Sequence, residues 1–391
     1  MSKISCPYCY RRFSPGSMLF QCLGRPAPGR QSCGRSSNPE RERLTGYSGA
    51  MLPTFAPPTK TPLPRRTAPC PDCGVSTGIR ACPVCHTPLP ANYMDARTPL
   101  LGLVGGKNAG KTVYTTVLVH EIRNNLRRRF EADIDIAGEQ AGAASARWFD
   151  QYHDELFDRG SLFESTPSAA GGIRTPVVIK WRQQRRSLVG GHRTSVLSFF
   201  DSAGEDLTTQ ELVNNQAYLG ATGGLIVLLD PFQLPRARDH VAAPDERDAE
   251  PPLNVLSRIT EMLRNTGGLR DGSRIRTPVA VVFSKIDAFF GMFPADHPLR
   301  QEPETGPHYD EASGDDTHEH VRALLDKLGA DDVDAHLRAH YRTFRYFAVS
   351  SLGAEPEYER KRVDSGGVRP FRVEEPLLWL LARFGIVRSR S

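Results

Sequence analysis

Six short apolar segments follow one another along the chain after residue 98. Their length and their β-branched, aromatic content predict buried strands, and helical spacing of apolar residues between them predicts helices. Because strands alternate with helices, the pattern predicts an α/β fold with a doubly wound, mostly parallel sheet. The predicted strands are TPLLGLVGG, PVVIKWRQ, TSVLSFFD, GGLIVLLDP, TPVAVVFSKID and FRYFAVSSLG, and the predicted helices include KTVYTTVLVHEIRNNLRRR, AGEQAGAASARWFDQYHDELF and EEPLLWLLARFGI.

A glycine-rich turn lies between the first predicted strand and its helix. It satisfies the spacing G-x4-G-K-[ST], in which glycines let backbone N–H groups surround phosphate oxygens. The lysine neutralises the β- and γ-phosphates, the threonine hydroxyl binds magnesium, and the helix N-terminus adds partial positive charge. The turn is therefore predicted to bind a nucleotide and magnesium, through Gly105, Gly106, Lys107, Asn108, Ala109, Gly110, Lys111 and Thr112.

A second phosphate-facing segment is predicted where TSVLSFFD ends. Asp201 can hold magnesium through water at the carboxyl end of this strand, and Gly204 can offer its N–H to a γ-phosphate. The long interval before Asp201 must also supply a switch threonine. Thr175, directly before PVVIKWRQ, is the predicted ligand of magnesium and γ-phosphate, with Thr166 as the alternative. The competing interpretation of Thr175 is an ordinary β-branched residue that starts a strand.

Two further strand ends predict recognition of a guanine base. One carries Ser284, Lys285 and Asp287, where a carboxylate can accept both the N1–H and the N2 amine of guanine and the lysine stem can pack across the base. The other carries Ser350, Ser351 and Leu352, where a backbone N–H can meet the guanine O6. Ligands of doubly wound sheets bind outside the carboxyl ends of the strands, where all these residues fall.

The eight cysteines all precede residue 86 and have metal-ligand spacing. Two CxxC turns with eight residues between them are typical of a zinc ribbon, and they predict one four-sulfur zinc site from Cys70, Cys73, Cys82 and Cys85. The other four predict a second, less regular site from Cys6, Cys9, Cys22 and Cys33; its alternative is metal at Cys6 and Cys9 with a free thiol at Cys22 or Cys33. Closed four-sulfur sites leave no position for substrate, so both are interpreted as adaptors rather than catalytic centres.

Composition divides the chain further. Residues 1–98 hold 13 Lys and Arg against 4 Asp and Glu, a net +9, and the remainder carries −4. The predicted domains are a zinc-ribbon-like module (1–34), a flexible Pro- and Arg-rich linker (35–67), a zinc ribbon (68–92) and a P-loop GTPase domain (98–390). Acidic insertions near 236–252 and 294–320 are predicted to be solvated loops, and their histidines to be surface residues.

The ordered set GGKNAGKT, DSAGE, SKID and SSL resembles a GTPase of the translation-factor-related (TRAFAC) P-loop class. Together with N-terminal zinc ribbons and LLDP, it resembles the bacterial double-GTPase families more closely. This resemblance implies a small-GTPase-like fold, GTP and GDP as ligands, Mg²⁺ and Zn²⁺ as metals, and work in multi-gene defence or stress-signalling systems. Asn108 implies, by the same resemblance, stimulation by K⁺.

Two positions depart from the common pattern. Glu205 replaces the glutamine that orients the attacking water in many small GTPases, which predicts slow hydrolysis or a different catalytic residue. Ser284 replaces the usual asparagine of the guanine motif, which removes one supporting contact but leaves Asp287. The catalytic set predicted from the sequence is Lys111, Thr175, Gly204 and Glu205.

The sequence therefore predicts a magnesium-dependent GTP-binding switch that hydrolyses GTP slowly, with zinc ribbons recruiting a protein partner. The alternatives are a zinc-ribbon nucleic-acid-binding protein with a regulatory or vestigial nucleotide domain, and an ATPase; nucleic acid is not favoured, because few aromatic residues stand near the ribbons. The apolar runs are shorter than the ~20 residues that span a bilayer, and no secretory pattern is present, so the cytoplasm is the predicted location. The oligomeric state stays open.

Overall fold

The computed structural model describes residues 3–57, 66–91, 93, 100–137, 144–163, 176–184, 192–201, 218–242, 250–267, 269–270 and 272–390. For residues 137, 144–148, 193, 200 and 201 this description covers the backbone. The chain forms two compact units. The first comprises Met1–Leu100, Asp133–Trp148 and Gly171–Phe200, and the second Leu101–Ala132, Phe149–Ala170 and Asp201–Ser391.

The N-terminal hundred residues form short strands around cysteine turns. The strand Leu19–Gln21 pairs antiparallel with both Thr54–Phe55 and Arg80–Ala81, and this three-stranded sheet joins the two ends of the segment. Two smaller ribbons complete it, with Ile4–Ser5 paired to Arg12–Phe13 and Ala68–Pro69 paired to Ser76–Thr77. A 3₁₀ turn covers Pro15–Ser17.

The described part of the expected flexible linker is folded. Helix α1, Pro39–Thr45, begins after Asn38, whose side-chain oxygen accepts a hydrogen bond from the Arg41 N–H at 3.0 Å, and ends at Gly46 with φ 68°. Tyr47 is buried, and Phe55 lies in the three-stranded sheet. The expectation of a mobile linker over residues 35–57 is therefore wrong, because a cap, a left-handed glycine and an aromatic anchor outweigh the Pro-, Ser- and Arg-rich composition.

Seven strands form the main sheet: β1 Leu100–Gly105, β2 Ala132–Ala137, β3 Val177–Gln184, β4 His192–Asp201, β5 Gly224–Leu229, β6 Val279–Phe283 and β7 Phe344–Ala348. Their order across the sheet is β7-β6-β5-β1-β4-β3-β2. All six strands expected from the sequence are present, and β2 is an additional one. β5 lies parallel to β1 and to β6, β6 lies parallel to β7, and β3 pairs antiparallel with β4.

The central parallel strands are covered on both faces. Every residue of β1, β5 and β6 is buried, as expected for apolar strands flanked by helices. The principal helices are α2 Lys111–Glu121, α3 Ala144–His153, α4 Pro252–Gly267, α5 Glu311–Lys327, α6 Asp331–His340 and α7 Glu375–Arg383. The doubly wound, mostly parallel α/β fold expected from the sequence is thereby confirmed.

Shorter elements extend these helices and connect them. π-Helical turns continue α2 and α3, the first followed by one more α-helical turn. Short 3₁₀ turns follow β5 and β6. The π-helical turns are Ile122–Leu126 and Asp154–Asp158, and the extra α-helical turn is Arg127–Arg129. The 3₁₀ turns are Pro231–Gln233 and Ala237–Asp239 after β5, and Ile286–Met292 and Pro298–Arg300 after β6. A last short ribbon pairs Tyr309–Asp310 with Ser389–Arg390.

The second acidic insertion is more ordered than expected. Residues 311–320, predicted to lie in a solvated loop, form the first half of α5. Asp310 caps this helix by accepting a hydrogen bond from the Ser313 N–H at 3.1 Å, and Thr317 is buried. A capping aspartate and buried small residues therefore overrode the acidic composition in this stretch.

The C-terminal helix α7 packs into the core, as expected. Leu377, Leu378, Trp379, Leu380 and Leu381 are all buried. Across the described part of the chain, the helices lack the length and apolar content that a membrane span requires.

Candidate functional site

The predicted nucleotide loop joins β1 to α2. Asn108 and Gly110 both adopt left-handed backbone angles, with φ 58° and 82°, which turn the chain tightly before α2. A Cβ atom on Gly105 would lie 2.8 Å from the Leu228 carbonyl oxygen of β5, so this position requires glycine. Helix α2 starts at Lys111, so its N-terminus lies at the loop. The N-terminus is the end of an α-helix that favours anions.

Lys111 bends back onto the loop. Its Nζ donates to the carbonyl oxygens of Gly105 at 3.1 Å and Gly106 at 2.6 Å. The Ala109 N–H donates to the Gly106 carbonyl oxygen at 3.4 Å, which closes the turn. The ammonium group is thus held against the loop that is expected to surround phosphate oxygens.

The two predicted base-recognition segments lie side by side. The Ile286 N–H donates to the Val349 carbonyl oxygen at 3.1 Å, and the Val349 N–H donates to the Phe283 carbonyl oxygen at 3.0 Å. Asp287 receives a hydrogen bond from the Ser350 hydroxyl, which in turn accepts one from the Gly353 N–H at 2.8 Å. The parallel pairing of β6 with β7 brings the segments together, since the carboxyl ends of parallel strands share one edge.

The electrostatic setting of Asp287 suits a carboxylate that receives a ligand's N–H groups. Burial raises the pKa of Asp287, and the Ser350 hydroxyl and the Lys285 ammonium partly offset that rise. Each hydrogen bond that a base donated to the ionised carboxylate would lower the pKa further. The neighbouring residues Ser351 and Leu352 follow Ser350 in a turn that ends at Gly353, with φ 81°.

Sequence reasoning gave no individual role to Asp230, which directly follows β5. Its side chain is buried, and its Oδ1 lies 3.2 Å from the Lys285 Nζ and accepts the Phe232 N–H at 3.2 Å. Its Oδ2 is buried with no hydrogen-bond partner among the described residues. The Lys285 Nζ also lies 4.9 Å from the centre of the Phe232 ring. Asp230 and Phe232 therefore fix the direction of Lys285, and the LLDPF segment was the available signal.

Ser284 has an internal role. Its hydroxyl donates to the Leu229 carbonyl oxygen at 2.8 Å, and its N–H donates to the same oxygen at 3.2 Å. Lys285 then takes a left-handed backbone angle, φ 54°. Ser284 thus links β6 to β5 and sets the turn that presents Lys285 and Asp287.

Five residues of the predicted site lie wholly or partly outside the described part of the structure. Asp201 ends β4, as expected, and its side chain lies outside the described part. Thr166, Thr175, Gly204 and Glu205 lie outside the described residues, so their predicted roles stay predictions. The nucleotide loop and the predicted base-recognition segments all belong to the second unit.

The cysteines form two sets of four, but not the sets expected from sequence order. The inner tetrad is Cys6, Cys9, Cys82 and Cys85, and the outer tetrad is Cys22, Cys33, Cys70 and Cys73. The expected grouping, in which each half of the module completes its own site, is wrong. The antiparallel pairing of Leu19–Gln21 with Arg80–Ala81 explains the result. It sets the chain before residue 19 beside the chain after residue 81, which groups the inner tetrad, and the chain after residue 21 beside the chain before residue 80, which groups the outer tetrad.

Both tetrads fit a zinc ion. The Sγ–Sγ distances are 3.8 Å for Cys6–Cys85, Cys9–Cys82 and Cys33–Cys70, and 3.4 Å for Cys22–Cys73. Four sulfurs about 2.3 Å from one zinc stand about 3.8 Å apart in a tetrahedron. The N–H groups of Tyr8, Val84 and Gly24 donate to cysteine sulfurs at 3.3–3.4 Å, as in zinc-binding turns.

The donor set of the inner tetrad suits a cation, because its four sulfur atoms lie within 4.8 Å of one another. Burial, together with the neighbouring thiols, raises the pKa of Cys6 well above its ordinary value. A bound metal reverses this preference, because its charge keeps coordinating thiols deprotonated. All eight cysteines are free thiols rather than disulfides.

The sheet order and the glycine-rich loop between β1 and α2 define an α/β protein of the P-loop GTPase type. The sequence model of the Double-GTPase 2 family matches residues 99–348, and the chain belongs to that family. The resemblance to double GTPases stated above is thereby confirmed.

Three individual proteins that resemble this chain share between 11% and 26% sequence identity with it. A protein of Mycolicibacterium smegmatis named "Putative ESX-1 scaffolding and assembly protein SaeC" is 26% identical over 416 residues, which cover 99% of this chain and 100% of that protein. The Arl6 BBS3 small GTPase of Trypanosoma brucei is 11% identical with a TM-score of 0.29, covering 74% of this chain and 98% of its own. The GTPase-like domain of S. cerevisiae Ski7 is 12% identical with a TM-score of 0.29, covering 74% and 51%. The family assignment rests on the sequence match.

Proposed function

We propose that this protein is a magnesium-dependent GTP-binding switch that hydrolyses GTP slowly to GDP. The observation that carries the proposal is the half-buried carboxyl of Asp287, which accepts a hydrogen bond from Ser350 and lies near the Lys285 ammonium, in the same unit as the glycine-rich loop. A carboxylate in this position pairs with the N1–H and N2 amine of guanine, and adenine offers no such pair of donors. Membership of the Double-GTPase 2 family supports the same ligand.

The residues divide the work of binding. The loop from Gly105 to Gly110 surrounds the phosphates, Lys111 neutralises their charge, and Thr112 and Asp201 hold magnesium. Magnesium, when bound, would neutralise the charge that develops on the phosphate oxygens. The N–H groups of residues 350–352 meet the guanine O6. Lys285, fixed by Asp230 and Phe232, covers the base with its aliphatic stem.

Hydrolysis is proposed to be slow. Thr175 and Gly204 would contact the γ-phosphate region, and Glu205 stands where a water-orienting glutamine is common. A carboxylate near the γ-phosphate is repelled by it, so Glu205 offers weaker orientation of water than an amide. A protein partner that supplies the missing group would then control the lifetime of the GTP state.

The proposed task of the switch is to control assembly with a protein partner. The relative from Mycolicibacterium smegmatis, named for scaffolding and assembly, aligns over nearly the whole chain and supports this choice. The defence or stress-signalling role implied by the family resemblance stays a prediction. The cytoplasm is the proposed location, since reduced thiols persist there and both tetrads need thiols to bind zinc.

Nucleotide affinity and turnover of the purified protein with and without Mg²⁺ test this function. Lys111→Ala should lower GTP affinity at least about a hundredfold, because a lysine that meets two phosphates is lost; each 1.4 kcal/mol corresponds to about tenfold. Lys327→Ala, the same change at the end of α5, is the control and should bind normally. Micromolar GTP affinity in Lys111→Ala would refute the proposed site.

Asp287→Asn should reduce the preference for GTP over ATP, and an unchanged ratio of the two affinities would contradict guanine recognition by Asp287.

A further inference from the structure

The inner tetrad shares a hydrophobic core with two strands of the main sheet. Val178 of β3 and Val196 of β4 are fully buried in one cluster with the four inner cysteines. Tyr8, Tyr47 and Tyr93 belong to the same cluster. All of these residues lie in the first compact unit. The N-terminal module therefore supplies part of the cover of β3 and β4.

Hydrogen bonds tie the module to the same two strands. The Tyr47 hydroxyl donates to the Pro176 carbonyl oxygen at 3.0 Å, directly before β3. The Ser198 hydroxyl of β4 donates to the Pro7 carbonyl oxygen at 2.7 Å, and the Tyr10 hydroxyl lies 3.1 Å from the Ser198 Oγ. Pro7 and Tyr10 bracket the turn that carries Cys9, and Tyr10 has a left-handed φ of 59°. Folding of the inner site therefore sets the positions of these contacts.

The attachment points are the strand positions next to the predicted switch residues. Pro176 immediately follows Thr175, and Ser198 precedes Asp201 by three residues. Along the chain, these strand positions adjoin residues that are proposed to bind magnesium and the γ-phosphate.

Among the described residues, the hydrophobic neighbours of the outer tetrad belong to a different cluster, without β3 or β4. Its hydrophobic surroundings are Leu52, Phe55 and Val75, all within the N-terminal module. The two tetrads thus have the same ligands but different neighbours, and they provide a matched pair for an experiment.

We infer that metal in the inner tetrad holds β3 and β4 in their folded arrangement and so controls the nucleotide switch, while the outer tetrad stabilises only the N-terminal module. The inference about β3 and β4 concerns order in the strands themselves; its consequence for the switch rests on the proposed function. It adds a structural role to the adaptor role predicted for the two cysteine sites.

Hydrogen–deuterium exchange of the zinc-loaded full-length protein tests the first part. Cys82→Ser removes an inner ligand, and amides of residues 177–184 and 194–199 should then exchange at least about tenfold faster. Cys70→Ser is the matched change in the outer tetrad and should leave these rates within about twofold. Strand β6 reports global unfolding and should be unchanged in both. Equal acceleration in the two variants, or none in Cys82→Ser, would overturn the inference.

A second pair of variants keeps all eight ligands, so it serves even where a cysteine variant fails to fold. Tyr47→Phe removes the hydrogen bond to Pro176, and exchange at the start of β3 should rise about fivefold. Tyr93→Phe is the control, since its hydroxyl bonds to the Ser5 carbonyl oxygen inside the module. Both should retain two zinc ions per chain. Equal effects of the two changes would contradict a specific link to β3.

Nucleotide binding separates this inference from the proposed function. Absence of GTP binding in the wild-type protein would refute the proposed function, and the exchange rates would still decide the role of the inner tetrad. If wild type binds GTP, Cys82→Ser should release it at least about fivefold faster than Cys70→Ser does. Faster amide exchange in β3 and β4 together with an unchanged rate of GTP release would refute control of the nucleotide switch by the inner tetrad.

Discussion

Asp287 shows how one residue combines a sequence motif with a tertiary setting. The SKID spacing predicted its role, and its charge state depends on groups that come from other strands. Burial raises the pKa of Asp287, while Ser350 from the segment after β7 and Lys285 beside it oppose that rise. Asp230 lies in the LLDP segment, and its role in orienting Lys285 follows only from the contacts of its carboxylate.

GDP affinity should therefore fall in mildly acidic solution. The ionised carboxylate accepts the guanine donors, so affinity is constant above the pKa of Asp287 in the free protein and falls by up to about tenfold per pH unit below it. The raised pKa moves this loss above the usual range of an aspartate. Titration calorimetry with GDP from about pH 8 to about pH 5 measures it. Asp287→Asn should bind weakly without that pH dependence, and a matching slope in the variant would assign the effect to another group.

At the scale of elements, the contact of β1 with β5 explains why the nucleotide loop begins at a glycine. A methyl group on Gly105 would press against the Leu228 carbonyl oxygen, a backbone atom that cannot rotate away. The apolar pattern predicted both strands and the motif predicted the glycine. The close approach of β1 and β5 at this point follows from their parallel register, which pairs Leu228 with Gly105.

Gly105→Ala should therefore destabilise the fold as well as the loop. We expect a loss of about 1–3 kcal/mol in the free energy of unfolding, from overpacking against the neighbouring strand. Urea denaturation measures this loss. Gly291→Ala is the control, because a Cβ there meets nothing within 4 Å, and it should change stability by less than about 0.5 kcal/mol. Wild-type stability in Gly105→Ala would refute the tight contact.

At the scale of the whole molecule, one buried carboxyl links stability to pH. Glu375 opens α7 and is almost fully buried; burial raises its pKa to about 7, Arg372 opposes the rise, and Glu374 and Glu302 add to it. The folded state therefore binds a proton that the unfolded chain, with its lower glutamate pKa, has released. Stability from this group is present below about pH 4.5 and is lost as pH rises through about 7.

Glu375→Gln should remove this component. Between about pH 5 and about pH 8 the wild-type protein should lose roughly 2–3 kcal/mol more than the variant, by the linkage of a raised pKa to folding. The measurement is the free energy of unfolding at several pH values. Glu304→Gln, a change at a side chain that is 85% exposed, should leave the wild-type profile intact. Parallel profiles for wild type and Glu375→Gln would exclude Glu375 as the source.

The sequence by itself determined the local elements and the phosphate and base motifs, because strand periodicity, a glycine-rich turn and short spacings such as SKID act over a few neighbouring residues. It also determined that eight cysteines occur with metal-ligand spacing. Only the tertiary structure decided which cysteines share a site. The antiparallel pairing between residues 19–21 and 80–81 sets Cys6 and Cys9 beside Cys82 and Cys85, and Cys22 and Cys33 beside Cys70 and Cys73. The same folding placed α1 within the expected linker and packed the inner tetrad in one cluster with Val178 of β3 and Val196 of β4. These outcomes depend on contacts between residues far apart in the chain, which composition and spacing do not encode.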